Sequence, residues 1–435
     1  MSRGTAESIY LTLTDEEDAR VCTDISDAAC RETPGNFVLL LASYFLTKLG
    51  DAVASPKIVL PWLMSTVQAP LFLTGLLVPI RESGSMIPQL VIASFVRRMP
   101  LRKWVWVAGS GLQALAILAI GVIAMVFSGA LAGWLIVAAL IAFSLARGLC
   151  SVASKDVLGK TVPRGKRGQL TGLSAGAAGL VTIGLGIALV AVDLEQASGL
   201  FYGSLIAVAG GMWVIAAGLY ALIKEFPGET GGGGDALVEA LKRLEVLVKD
   251  AQFRRFVVTR SLLIATALSA PYYIALSQHR LGSPAYLLGL FLASSGLASL
   301  VSGPVWGRIA DRSSRRVMVR SALIAAAIGI VVFTADQWTS LTATFWFLPA
   351  AYFLLSIAHD GVRVGRKTYI VDLAGGNRRT DYVAVSNTAI GIVLLLAGAI
   401  GTLSAVVSIG GIILILSVIA GAGALVGTAL PELKE

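Results

Sequence analysis

The chemistry available to this chain rests on a few ionisable side chains set inside long apolar runs. Lys48 and Asp51 lie in the first run, with Lys57 near its end, and Arg81 and Glu82 lie in the second. An ionised group in hydrocarbon costs several kcal/mol unless it is paired or hydrated, so each is a functional candidate. Lys48 and Asp51 are three residues apart and share a helical face. Arg81 and Glu82 are adjacent, so they point about 100° apart and one turns towards a neighbouring helix. At 1.5 Å per residue, Asp51 lies roughly 21 Å and Arg81 roughly 22 Å from the same membrane face, which allows salt bridges between consecutive helices. Desolvation favours the neutral form of a buried carboxylate, and nearby cations favour the charged form. A site exposed alternately to two sides can tip that balance. Asp51 and Glu82 are therefore candidate proton carriers, with Lys48 and Arg81 as charge partners or anion contacts and Gln113 on the cavity wall. The competing reading is a neutral ion-pair cluster that fixes helix packing.

A second set lies nearer the basic ends of the runs. Arg147 falls roughly 9 Å inside the end of the fourth run, taken at residue 153. It corresponds to His359, beside Asp360 and Arg363, under an internal offset of 212 residues. These four are expected to form gate ion pairs, a reading placed ahead of a substrate site. Arg260 is expected to reach the basic-side surface from the seventh run. Tyr44, Tyr272 and Tyr273 are further candidates for a cavity wall. The sequence holds no phosphate-binding loop, zinc pattern or nucleophilic triad, so no cofactor, metal or enzymatic activity is expected.

The elements that carry these residues are membrane spans. The chain is 56% hydrophobic and 14% charged, against about 25% charged in soluble domains. Twelve apolar runs lie near 37–60, 69–96, 104–127, 131–153, 168–192, 198–223, 254–278, 285–308, 316–335, 341–364, 381–405 and 408–430, each long enough to cross a bilayer. Arginine and lysine concentrate in alternate loops, at Arg97 to Lys103, Lys155 to Arg167, Arg308 to Arg316 and Arg363 to Arg379. The positive-inside rule then places both termini in the cytoplasm and assigns the +9 net charge to loops rather than to nucleic acid.

Residues 1–36 hold eight acids against three arginines and are expected to be a disordered tail without a cleavable signal. Cys22 and Cys30 are expected there as free thiols. Residues 225–253 read as a linker between six-run halves at 37–224 and 254–430, followed by a short terminus at 431–435. Within the linker, Leu237, Leu241, Leu244 and Val248 have the spacing of an amphipathic helix.

The halves repeat. Ala69-Pro70-Leu71-Phe72-Leu73-Thr74-Gly75-Leu76-Leu77 matches Ser283-Pro284-Ala285-Tyr286-Leu287-Leu288-Gly289-Leu290-Phe291, an offset of 214. Lys155, Lys166, Arg167 and Ser174 match Lys367, Arg378, Arg379 and Ser386, an offset of 212. The stretch Gly307-Arg308-Ile309-Ala310-Asp311-Arg312-Ser313-Ser314-Arg315-Arg316 resembles the cytoplasmic loop motif of the major facilitator superfamily. Ser314 replaces the motif's second glycine, and the first-half loop lacks the aspartate. The glycine-rich fifth run lacks the Gly-Pro step of the family's antiporter signature.

The resemblance covers residues 37–430. It implies an all-α membrane protein of two pseudo-symmetric six-helix bundles, with Gly307, Asp311, Arg312, Arg315 and Arg316 at the cytoplasmic gate. It further implies a monomeric secondary transporter in the inner membrane, coupled to protons. The expected cargo is a small organic compound, with export placed ahead of uptake of an organic anion. The alternative outside that class is a non-transporting membrane receptor or scaffold.

Overall fold

The computed structural model describes residues 3–14, 25–191, 198–228, 230, 245–338, 340–373 and 378–433, and it is helical almost throughout. The helices are α1 (Arg3–Thr14), α2 (Asp27–Val53), α3 (Val59–Thr66), α4 (Leu71–Met86), α5 (Gln89–Arg97), α6 (Lys103–Val126), α7 (Gly129–Thr161), α8 (Arg164–Ala191) and α9 (Gly199–Ala221). After the linker come α10 (Val246–Lys249), α11 (Ala251–Leu263), α12 (Ala265–Leu268), α13 (Ala270–Leu281), α14 (Ala285–Arg312), α15 (Ser314–Trp338), α16 (Phe347–Leu373), α17 (Arg378–Ala397) and α18 (Ile409–Thr428).

Ten helices among the described residues are long and apolar enough to cross a membrane. The second and tenth expected spans fall outside that ten for physical reasons. The second is split at Pro88 into α4 and α5, of 16 and 9 residues. The tenth, α16, carries His359, Asp360, Arg363, Arg366 and Lys367, which lower its hydropathy.

Several helices outrun their apolar segments. The first begins at Asp27, because Ser26 accepts from the Ala29 amide as its N-cap. Its polar first turns are held from the side: Thr33 donates to the Thr161 carbonyl at 3.4 Å, and Asn36 exchanges hydrogen bonds with the Lys224 backbone at 3.0 and 2.9 Å. Residues 3–14 also depart from the expected disorder. They form a helix whose Tyr10 is buried edge-on against Phe37 at 5.2 Å. Gln169 at the start of α8 donates to the Leu13 carbonyl at 2.7 Å. Cys30 is disulfide-bonded rather than a free thiol. Cys22 and most of the expected linker helix lie outside the described residues.

Packing is divided by depth. One hydrophobic core draws on both bundles at the charge-poor end, including Trp62, Tyr202, Tyr273, Phe291 and Leu348. At the basic end the cores are separate. One contains only first-bundle residues, among them Phe37, Trp106, Val157 and Tyr220. The others contain only second-bundle residues, among them Phe253, Met318, Tyr369, Trp306 and Val317. The bundles are therefore sealed together at the charge-poor end and parted at the basic end.

Two glycine seams form the seal. A Cβ on Gly75 would lie 2.6 Å from the Gly401 Cα, and a Cβ on Gly186 would lie 2.6 Å from the Ala293 nitrogen and 2.7 Å from the Gly289 oxygen. Such contacts let helix backbones approach closely. Gly75 and Gly289 are the 214-offset pair read from the sequence, and Pro70 and Pro284 occupy the N-cap positions of α4 and α14. The seams α4 with residues 398–405, and α14 with α8, are thus pseudo-symmetric. Gln278 crosses the same interface to the Trp62 carbonyl at 3.4 Å. A valine at Gly186 or Gly289 is expected to force the charge-poor end open. The measurement is labelling of a cysteine placed at the buried Gln278, expected to rise several-fold over the same cysteine with both glycines intact.

Candidate substrate and proton site

Asp51 on α2 sits between two guanidinium groups. Arg81 on α4 donates from Nη2 to Oδ1 at 2.7 Å. Arg147 on α7 donates from Nη1 to both carboxylate oxygens at 2.7 and 2.6 Å. Arg81 is buried and lies 4.7 Å from the centroid of the Phe143 ring, a cation–π contact. The Asp51 and Arg147 side chains keep 27% and 37% exposure, so this ionic centre borders a wet space.

That space is an open cavity of about 340 Å³ in the first bundle, lined in part by Lys48, Asp51, Gln113, Arg147, Trp106 and Trp213. Among the described residues, Lys48 donates only to the Thr171 carbonyl of α8, at 3.4 Å. Its expected pairing with Asp51 is replaced by the two arginines. Gln113 donates to the Gly109 carbonyl at 3.3 Å and to Cys150 Sγ at 3.1 Å, and that sulfur in turn faces the Trp106 carbonyl. Tyr44 lines the cavity and donates to the Ser154 carbonyl at 3.4 Å. Tyr272 and Tyr273 instead belong to the sealed core at the far end.

Glu82 faces a different set of neighbours. Its charge interacts with Lys57, Arg81, Arg147 and Arg366. Among the described residues its carboxylate makes no hydrogen bond or ion pair. Lys57, in the turn between α2 and α3, bridges to the other bundle, with Nζ 3.0 Å from His359 Nε2 on α16. His359 Nδ1 is 3.0 Å from Thr266 Oγ1, which donates to the Leu263 carbonyl. The chain is consistent when Lys57 donates to a neutral His359 that carries its proton on Nδ1.

The gate expectations require correction. Arg147 lies within the site, because α7 continues to Thr161, eight residues past the apolar run. The helix end is stabilised by Lys160, which pairs with Asp156 at 2.8 Å and Glu225 at 3.1 Å, and by the Arg102–Asp156 pair. His359 likewise lies deep in α16, which runs to Leu373. Asp360 pairs with Arg363 at 3.0 Å within one helix, so that pair closes no gate. Arg260 does not reach the surface. It is buried, donating to Ser386 Oγ at 2.6 Å and Asn387 Oδ1 at 3.0 Å. It occupies the 212-offset position of Lys48.

The charged motif also stays within its own bundle. Ser313 is the break between α14 and α15, and its hydroxyl accepts from the Arg316 amide and bonds to Glu432. Arg315 donates to the Thr428 and Leu430 carbonyls at 3.2 and 2.9 Å and pairs with Glu432 at 3.0 Å. Arg316 approaches Glu432 at 3.7 Å. Arginine here satisfies the last carbonyls of α18. Gly307 has open space around it, Arg312 is exposed, and the Asp311 side chain lies outside the described atoms.

A family model for the Major Facilitator Superfamily matches residues 40–336 and 262–434. The chain belongs to this superfamily. It is a multi-pass membrane transporter and not an enzyme. Among solved structures, this facilitator superposes on a D-xylose-proton symporter with a TM-score of 0.69 at 15% identity, over 92% of this chain and 98% of that one. It superposes on a POT family transporter in complex with 5-aminolevulinic acid at 0.70 and 10% identity, covering 89% and 94%. For an inward open conformation of the xylose transporter XylE from E. coli the score is 0.64 at 13% identity, covering 91% and 96%. At these identities the likeness is one of fold. No curated protein sequence matches this facilitator.

The ionic centre gives a stability test. Removing one partner of a buried ion pair leaves an uncompensated charge, at a cost of roughly 3–5 kcal/mol. Asp51→Asn strands two arginines and is expected to destabilise by about 3 kcal/mol, the low end because the carboxylate is partly hydrated. Adding Arg81→Gln to Asp51→Asn is expected to recover part of that loss. Thermal unfolding of the single and double variants measures this coupling.

Proposed function

We propose that this facilitator is a proton-coupled secondary transporter of a small organic compound. It works as a monomer by alternating access in a plasma membrane, with its basic end and both termini in the cytoplasm. The observation that carries the reading is Glu82. It is a carboxylate at the depth of the ionic centre that no ion pair engages among the described residues, on the helix that also forms a glycine seam between the bundles. Asp51 is committed to Arg81 and Arg147, so it acts as the fixed anion that positions them. Glu82 has cations around it but no direct partner, and it is the group free to take and release a proton as its surroundings change. The positive-inside asymmetry supports the sidedness. The parted basic end then corresponds to an inward-facing state.

One observation favours the organic-anion cargo. Lys48, Lys57, Arg81, Arg147, Arg363 and Arg366 surround the site, against Asp51, Glu82 and Asp360. An excess of cations in a partly dry cavity attracts a negative solute. This charge balance supports an organic anion as the cargo.

The test is purified protein in proteoliposomes with an imposed pH gradient and a panel of organic anions and neutral solutes. Proton flux tied to uphill movement of one solute is expected. Glu82→Gln should keep solute exchange at equal concentrations and lose uphill accumulation at least tenfold. An uphill gradient still built by the Glu82→Gln protein would overturn the assignment.

A further inference from the structure

The cations of this site lie on two surfaces that must approach each other when the carrier closes. On the first bundle, Lys48 and Arg147 line the cavity. Among the described residues, Arg147 uses only Nη1, on Asp51, which leaves Nε and Nη2 to donate, and Lys48 has two N–H groups beyond its bond to Thr171. On the second bundle, Arg363, Arg366 and Lys367 follow one another along α16. Arg363 acts electrostatically on Lys48, and Lys367 feels Lys155. His359 meets Lys57 of the first bundle at 3.0 Å, and Arg363 and Arg366 follow it four and seven residues along α16 on the same helical face, so this face of α16 confronts the first bundle. Arg366 and Lys367 have no hydrogen-bond or ion-pair partner among the described residues, and Glu82 of the first bundle is the carboxylate whose charge acts on both. Asp360 is the carboxylate beside Arg363, and Arg363 keeps half of its side chain exposed despite that pair.

In the open state water screens these groups. Closing expels the water and brings like charges together in a medium of lower dielectric, so the empty cleft resists closure. A neutral solute leaves that repulsion unchanged. A monoanion compensates one wall only. An acidic group at each end of the solute compensates both.

We infer that the cargo is a compact organic dianion, one acidic group held by Lys48 and Arg147 of the first bundle and the other by Arg363 and Arg366 of the second. The inference rests on the transport reading above and adds to it the class of solute and the part it plays. The dianion is the charge that lets the basic end close. Arginine suits both walls, since a guanidinium fork grips a carboxylate with two N–H groups. Trp106 and Trp213 border the same cavity but are buried, Trp106 being stacked on Tyr220 at 3.8 Å.

The test is equilibrium binding to the purified full-length protein, which does not depend on flux. The probes are dicarboxylates from succinate to suberate, and terephthalate, each with its monoamide and diamide. At least one dicarboxylate is expected to bind ten or more times tighter than its monoamide, with no binding of the diamide. Arg366→Gln should bring the dicarboxylate down to the affinity of its monoamide while leaving the monoamide unchanged. Lys48→Gln should weaken both. Unchanged monoamide binding also shows that the Arg366→Gln protein is folded. Equal affinity of acid and monoamide in the native protein, absence of any dicarboxylate binding, or a preference that survives Arg366→Gln would overturn the inference. Uphill transport of a neutral or cationic solute, with no dicarboxylate bound, would defeat the dianion and leave the transporter reading standing. Tight dicarboxylate binding without any flux would defeat transport alone.

Discussion

The Asp51 carboxylate, shared by Arg81 and Arg147, is the interaction on which the first bundle depends. It ties α2, α4 and α7 at one depth, and it does so inside a membrane, where an unpaired guanidinium has no inexpensive alternative. The arrangement is confined to one half of the molecule. Under the 212 and 214 offsets, the second bundle has Leu263, Ser295 and His359 at the corresponding places. The second bundle therefore keeps the fold of the first without its ionic centre. Its own buried cation, Arg260, is neutral-bonded through Ser386 and Asn387. Two halves of one architecture thus divide the labour: the first holds a fixed charge cluster, and the second presents unpaired cations on α16.

This division also explains what the sequence could show. The fold was legible because apolar runs, alternating loop charge and the repeat around Gly75 and Gly289 all report on backbone placement. The pairing of Arg81 with Asp51 was legible because both lie in apolar runs whose ends are well marked, so the rise per residue gave their common depth. Arg147 and His359 were misplaced for one shared reason. Hydropathy ended their runs at residues 153 and 364, whereas the helices reach Thr161 and Leu373. Each residue is 14 positions from its helix end, about 21 Å deep by the rise rule, level with Asp51. The extra turns are polar and are held by lateral ion pairs such as Lys160 with Glu225, which no local pattern announces. The same blindness hid the first ten residues of α2 and the docking of α1 through Tyr10.

The arginine motif, which marks the family, has a more local duty in this conformation. Ser313, Arg315 and Arg316 gather Glu432 and the last carbonyls of α18, so α14, α15 and α18 are clamped at the basic end. Such a clamp stiffens one bundle. Stiffness matters because rocking about a central site requires each bundle to move as a unit. The glycine seams supply the complement. Gly75 against Gly401, and Gly186 against Gly289, bring backbone to backbone with little side-chain interlock, so parting this end costs chiefly the apolar core that the two bundles share around the seams.

The energetic problem of the cycle then falls at the basic end. At the charge-poor end both bundles share one apolar core, and its closure needs no partner. At the basic end the cores are separate and cations stand on both sides, so closure there must first answer those charges. Lys57 and His359 already touch across the bundles at 3.0 Å, and they can do so only while one of the two is neutral. The contact sits beside Glu82, whose charge acts on Lys57. A proton gained or lost at Glu82 therefore changes the charge felt at a hydrogen bond that joins the two bundles. In the proposed proton-coupled cycle, this gives protonation a physical route to bundle orientation that is separate from the cations proposed to hold the solute.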